Sequence, residues 1–409
     1  MPPARFLDPR TPPHIVTLVL MAALGALNMN VFLPSLPGMA RYFNADYALV
    51  QLTVSAYLAG TAFLQIFIGP LSDRFGRRPV MLVSIWLFLG ATLICIFAPT
   101  IEILLVGRVL QAVVVAGLVL SRAIVRDIVG PSQAASMIGY VTMGMTLVPM
   151  VGPALGGFLD QMFGWQANFI LTFLFGVMVL IVCWRDQGET NQAMSANFVE
   201  QFRAYPELLK ARRFWGYTLT ATFASGAFFS FLGGGPYVAN VILGMTPAEL
   251  GYHFFFIAFG YMIGNFLTAR FSVNVGLNAM MVIGNLISAL GMALSIGLFW
   301  SGFFHPMAFF GPIFFVGFGN GMALPNANAG IVSVRPRLAG SASGLGGALM
   351  IGGGALLSVL AGSLLSEESG PYPLLYVMFS SSIAGVAAAL YVLYVVRQDR
   401  SAGIVMEEE

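Results

Sequence analysis

Twelve long apolar runs divide this chain, each close to the length a helix needs to cross a bilayer. A spanning helix takes about 20 predominantly apolar residues. The runs cover 15–33, 50–69, 80–97, 103–125, 135–159 and 168–184, then 214–241, 250–269, 277–300, 306–324, 343–365 and 374–396. Only 9% of the 409 residues are charged, against about 25% in a typical soluble domain. So little polar surface cannot cover a water-facing protein, and lipid must be the solvent. The expected fold class is therefore an all-α membrane protein of twelve transmembrane helices.

Basic residues set the orientation. With the amino terminus placed in the cytoplasm, seventeen of the nineteen Lys and Arg residues fall on that side. Arg41 alone lies on the outer side, and Arg108 lies within the membrane. Both termini are then cytoplasmic, and an odd number of helices in either half would scramble the split. The first eleven residues carry Arg5 and Arg10, and the run after them ends in Leu33-Pro34 without a small-residue cleavage site. That run reads as a membrane helix rather than a signal peptide.

The longest polar stretch separates two sets of six runs. The expected organisation is an amino-terminal six-helix bundle at 1–184, a cytoplasmic linker at 185–213, and a carboxy-terminal bundle at 214–409 with a short tail. Within the linker, 198–209 has the makings of a short amphipathic helix. Two such halves fit the repeat logic of many transporters, in which substrate binds at the interface between halves. Cys95 and Cys183 fall near opposite membrane faces, so core packing is expected and a disulfide is not. No nucleotide loop, metal cluster or nucleophile–base set is present, which argues against an enzyme, a cofactor, a metal or a nucleic-acid partner.

Charge chemistry concentrates in three places. The loop after the second run reads Gly69-Pro70-Leu71-Ser72-Asp73-Arg74-Phe75-Gly76-Arg77-Arg78-Pro79. Asp73 near a helix end can accept hydrogen bonds, Arg77 four residues on can bridge to a second acid, and the glycines allow tight contact and a tight turn. Asp127 closes Arg122-Ala123-Ile124-Val125-Arg126-Asp127 at the cytoplasmic end of the fourth run. Arg108 lies about 9 Å into that run from its outer end. A guanidinium there is costly unless paired or facing a wet cavity, so a functional role is the default reading. Gln111 follows one turn later on the same side.

These residues resemble the major facilitator superfamily, and within it the Bcr/CflA-like drug-efflux transporters with twelve helices. The 69–79 loop is similar in spacing and position to the family's signature loop. The resemblance implies a gating charge relay of Asp73, Arg77 and Asp127, with Gly69 and Arg78 in the same motif. Arg108-Val109-Leu110-Gln111-Ala112 resembles the fourth-helix motif tied to transport and coupling, except that Ala112 stands where glycine is usual. In the fifth run, Pro149, Gly152, Pro153, Gly156 and Gly157 resemble the antiporter motif associated with exporters. In isolation they imply only a bent, closely packed helix. Gly317-Phe318-Gly319-Asn320-Gly321 and Ala339-Gly340-Ser341-Ala342-Ser343-Gly344 resemble the tenth and eleventh helices, so the likeness covers nearly the whole chain.

One departure bears on mechanism. Many relatives carry a carboxylate just before a Leu-Pro pair in the first helix, and Asn30 stands at that place here. No Asp or Glu lies near the middle of any run. His253 and Asp160 are the remaining titratable groups within reach of the membrane. Proton coupling is thus implied by the family rather than by these residues, and nothing acidic waits at the midplane to favour cationic ligands. For substrate contact, Asn28, Asn30, Tyr57, Gln65 and Met145 are candidates from the first half, and Phe223, Phe228, Tyr261 and Asn265 from the second. Asn28 and Asn30 cannot share one helix face, being two residues apart. The expected activity is proton-coupled efflux of small amphipathic compounds by a monomer in a bacterial inner membrane. A dedicated exporter of one metabolite, and a ligand sensor with a transporter fold, remain open.

Overall fold

The structure is a computed structural model and describes residues 6–8, 10–129, 131–191, 205–335 and 338–401. Among the described residues the secondary structure is entirely helical. Twelve long helices follow one another: α1 (Ile15–Phe43), α2 (Tyr47–Phe75), α3 (Arg77–Ile96), α4 (Ile101–Ile128), α5 (Pro131–Phe163), α6 (Gln166–Asp186), α7 (Arg212–Tyr237), α8 (Pro247–Val275), α9 (Leu277–Trp300), α10 (Pro306–Ser333), α11 (Ala339–Leu364) and α12 (Tyr372–Ser401). Ten of them are long and apolar enough over their described residues to cross a membrane. The other two, α5 and α7, span 33 and 26 residues and occupy the fifth and seventh expected positions. Large apolar side chains such as Phe63, Trp86, Phe97, Trp300 and Leu356 stand exposed on the outside. A water-soluble protein would bury them, whereas a lipid-facing one need not.

Two helices are not continuous, for local reasons. In α1 the regular helix stops at Asn30, a 3-10 turn carries Leu33–Ser35, and helix resumes at Leu36–Phe43. Pro34 and Pro37 have no amide hydrogen to donate, so the ladder must be reset around them. Asn44 then ends the helix in the left-handed conformation, at φ 48°. The second break, in α4, is a 3-10 turn at Ala112–Val114 directly after Gln111.

Helices α2 and α3 meet at a single residue, Gly76, and α8 and α9 meet the same way at Gly276. Both glycines have positive φ, 96° and 86°, which side chains on L-residues disfavour. The same joint after the second helix and after the eighth is what a chain built from two related halves would show.

Contacts group the chain into two compact units. The first comprises Met1–Val199 with Leu232–Phe255, and the second Glu200–Phe231 with Phe256–Glu409. In the second, Phe214, Tyr217, Met281, Ile331 and Val392 pack in a fully or almost fully buried cluster. Of the expected linker helix only Tyr205–Lys210 is described, and 198–204 lies outside the described residues. Leu208 from it enters the same cluster, and Glu207 pairs with Arg335 at 3.1 Å. Cys95 and Cys183 are buried free thiols, as expected.

The polar end of α6 does more than begin a linker. Asp186 is fully buried and accepts from the Leu7 amide at 2.6 Å, the His14 amide at 2.8 Å and Thr17 Oγ1 at 2.6 Å. One carboxylate thus fastens the amino-terminal segment beneath the first unit. Asp186→Ala is expected to destabilise the protein by about 1–3 kcal/mol, because three donors lose their acceptor. A clearly lower midpoint of thermal unfolding in detergent is the predicted result, and an unchanged midpoint would contradict the anchoring role.

Candidate functional site

Arg108 is the largest fully buried side chain among the described residues. Its Nε donates to the Thr53 carbonyl at 3.0 Å, and its Nη1 donates to Asn28 Oδ1 at 3.2 Å, the Asn28 carbonyl at 3.3 Å and Gln111 Oε1 at 2.7 Å. Gln111 is held in turn by donating to Thr92 Oγ1 at 2.8 Å. The guanidinium carbon lies 4.2 Å from the ring centre of Phe32 and 4.5 Å from that of Tyr57, with Phe169 at 6.0 Å. Among the described residues no carboxylate pairs with it. Burying an ion costs several kcal/mol. Charge-assisted bonds of about 1.5–3 kcal/mol each and cation–π contact of about 2 kcal/mol are what offset that cost here. Among the described residues, Arg108 Nη2, Asn28 Nδ2 and Thr53 Oγ1 are buried here without a hydrogen-bond partner. The site is a cation in an aromatic box, with spare hydrogen-bond donors and no counter-ion.

The departure at Ala112 has a packing explanation. Ala112 is fully buried, and a Cβ on Gly60 of α2 would come within 2.9 Å of its own Cβ. The small residue needed at this α2–α4 contact is therefore supplied by the facing helix. Nothing in the fourth run alone could reveal that exchange.

The second group of charges sits where α2, α3 and α4 end. Arg77 Nη1 meets Asp73 Oδ1 at 2.5 Å and donates to Ser72 Oγ at 2.5 Å, while its Nε donates to Asp127 Oδ2 at 3.0 Å. Arg77 is mostly buried and both acids are partly covered, so the pairs are screened less than surface ones. One guanidinium joins the ends of three helices. Arg78 instead donates to the Trp184 carbonyl at 3.0 Å and pairs with no acid described here. Gly69 has open space where a Cβ would stand, so tight contact does not explain it.

Around the fifth-run motif, close backbone approach is the dominant fact. A Cβ on Gly156 would collide with the Val31 carbonyl of α1, and one on Gly157 with the Pro247 carbonyl of α8. Gly251 answers with the same crowding against the Pro153 carbonyl. Gly152 has only ordinary contacts, so it does not share this constraint. The α5 helix runs unbroken past Pro149 and Pro153.

The substrate candidates scatter. Tyr57 lies under Arg108, and Asn28 is bonded to it. Asn30 is buried but turns its amide back to the Ala26 carbonyl at 2.7 Å, with Oδ1 left over. Gln65 is half-buried with Oε1 unpartnered, and Met145 is half-buried on α5. In the second unit, Asn265 donates to the Tyr261 carbonyl of its own helix at 2.8 Å. Phe228 is half-buried and packs on Phe229 at 5.7 Å between ring centres. Phe223 lines a cavity of 540 Å³ with Leu360, Leu364 and Tyr376, all three exposed. The structure does bring Asn28, Tyr57, Arg108 and Gln111 together. Sequence reasoning missed Phe32, Thr53, Thr92 and Phe169, which complete the box. In the sequence they are ordinary apolar and hydroxyl residues of four different runs.

Comparison with known proteins gives a consistent family. The model described as Major Facilitator Superfamily matches residues 18–358. An uncharacterized MFS-type transporter, YdgK of Bacillus subtilis, is 31% identical over 91% of this chain and 93% of its own length. A bicyclomycin resistance protein homolog of Haemophilus influenzae is 29% identical over 91% and 94%. Multidrug resistance protein D of Escherichia coli is 29% identical over 85% and 88%. Among solved structures, the peptide transporter POT in complex with sulfate matches with a TM-score of 0.75 over 94% of both chains at 14% identity. The human organic anion transporter MFSD10 matches with 0.71 over 92% and 98% at 16% identity. The last two likenesses concern the fold alone.

Arg108→Lys keeps a positive charge but supplies neither the fork nor the stacking plane. Efflux by this variant is expected to fall by at least about tenfold, with protein still folded and monodisperse. Wild-type efflux by Arg108→Lys would remove the box from the transport machinery.

Proposed function

The chain belongs to the major facilitator superfamily, and from that premise we propose that it is a secondary exporter of small amphipathic compounds working by alternating access. It is a multi-pass membrane transporter and not an enzyme. The observation that carries export is the crowding at α5: Gly156 and Gly157 admit neighbouring backbone carbonyls from α1 and α8. These are the positions of the antiporter-like motif, and glycine is what the contact demands. Relatives along nearly the full length with names in bicyclomycin and multidrug resistance support drug-like substrates.

The arginine box supports a ligand preference. A buried cation with spare donors and no counter-ion among the described residues favours acceptors such as carbonyl, nitro or carboxylate groups, and disfavours a permanent cation. Asn28 and Tyr57 are its polar companions in this reading, with Asn30, Gln65 and Met145 as further contacts of the first unit. Asp73, Arg77 and Asp127 form the cytoplasmic latch of the cycle, with each half a six-helix bundle, both termini cytoplasmic and the inner membrane as location. Inward proton movement is the driving force proposed, as in the drug/proton antiporters that the motifs resemble. The protein acts as a monomer.

Flux in proteoliposomes tests these points separately. A neutral amphenicol antibiotic is expected to be transported faster than ethidium, and an imposed pH gradient is expected to accelerate it. Transport indifferent to the gradient would sink proton coupling while leaving export intact. Binding without any flux would favour a sensor over an exporter.

A further inference from the structure

Helix α3 starts without a cap of its own. Gly76 precedes it and has no side chain to accept from the first amides, and no acid stands in its first turn. Those amides would otherwise lack partners. They are met from a distant part of the chain: Glu189 Oε1 accepts from the Arg77 amide at 2.9 Å and Glu189 Oε2 from the Arg78 amide at 3.1 Å. A Cβ at position 76 would collide with Glu189 Oε2, so this glycine makes room for the carboxylate as well as the turn.

The next two residues reach the neighbouring helix ends. Thr190 Oγ1 donates to Asp127 Oδ2 at 3.1 Å, the same oxygen that accepts from Arg77 Nε. Asn191 Nδ2 donates to the Asp73 carbonyl at 2.9 Å and, at 3.3 Å, to the Ser72 carbonyl that also accepts from the Gly76 amide at the end of α2. The Asn191 amide folds back onto Glu189 Oε1 at 2.9 Å, so the three residues brace one another. Each helix end that carries a latch charge is therefore touched by one member of a consecutive Glu-Thr-Asn run that opens the linker. Glu189 itself is exposed on its far side, and Thr190 is buried.

We propose that Glu189, Thr190 and Asn191 are positioning residues of the cytoplasmic gate: they fix the ends of α2, α3 and α4 so that Arg77 holds Asp73 and Asp127 together. The carboxylate caps α3, the hydroxyl shares the acid of α4, and the amide caps α2. Arg77 then projects from a fixed backbone, and its guanidinium spans both acids without searching. This rests on the reading of the Asp73–Arg77–Asp127 cluster as the transport latch, and it extends the latch into what the sequence presents as a plain linker. A positioning role should change how fast the gate cycles, not how tightly substrate binds.

The test uses the full-length protein in proteoliposomes, with neutral amphenicol flux and hydrogen–deuterium exchange measured on wild type, Glu189→Ala and Glu189→Gln. For Glu189→Ala the maximal rate is expected to fall about fivefold while the half-saturating concentration stays within about twofold. Amides at the start of α3 should exchange faster in the same variant. Glu189→Gln keeps an acceptor for one amide and should recover most of the rate. Wild-type rate with wild-type exchange in Glu189→Ala overturns the proposal, as does a loss of rate that tracks loss of folded protein. If wild-type vesicles move no probe, the export reading fails instead. Exchange at α3 then decides the clasp by itself, faster exchange supporting it and unchanged exchange overturning it.

Discussion

A bilayer offers no water to a backbone amide, a carbonyl or a charge, so every such group must find its partner within the protein. The helices satisfy their own interiors, and the difficulty is pushed to their ends and to the few polar side chains inside. The joints at α2–α3 and α6 answer it with side chains borrowed from elsewhere in the chain. Glu189 caps amides of α3, Asn191 caps carbonyls of α2, and Asp186 takes two amides of the amino-terminal segment. Arg108 is the extreme case, a full charge satisfied by Thr53, Asn28, Gln111 and the faces of aromatic rings.

Packing follows a related constraint. Lipid tails are as apolar as leucine, so helices gain little from merely touching and gain most by approaching closely. Small residues then become a structural requirement at chosen points. At α5 the requirement falls on Gly156 and Gly157, and at the α2–α4 contact it is shared between Gly60 and Ala112. Within the second unit, Gly260 and Gly317 interlock α8 with α10, each admitting a carbonyl of the other helix. Such contacts are stiff in separation and tolerant of sliding, which suits helices that must change partners during a transport cycle.

The charge chemistry divides by depth. At the joined ends of α2, α3 and α4, Arg77 bridges two acids in a partly covered setting, where the pairs are screened less than at an open surface. Deep in the first unit, Arg108 pairs with no acid among the described residues, and the nearby Asn28 and Asn30 are neutral. Both charged groups share α4, which carries Arg108 before its 3-10 turn and Asp127 near its carboxy-terminal end.

Much was legible in the sequence because hydropathy and charge asymmetry are local signals. Twelve apolar runs specify twelve helices, since each run must cross lipid whatever its neighbours do. The spacing of Asp73 and Arg77 places both on one helix joint, and Arg108 with Gln111 on one helix face. Tertiary structure alone decided which side chains complete these groups. Phe32, Tyr57 and Phe169 come from three helices to meet at Arg108, and Thr92 of a fourth holds Gln111, so the group depends on how those helices cross. Glu189 lies 112 residues from Arg77, and its role exists only because α6 ends beside α3. Sequence fixes what each helix needs, but hydrogen bonds and close packing act over a few ångströms, so the fold chooses which distant residue supplies it.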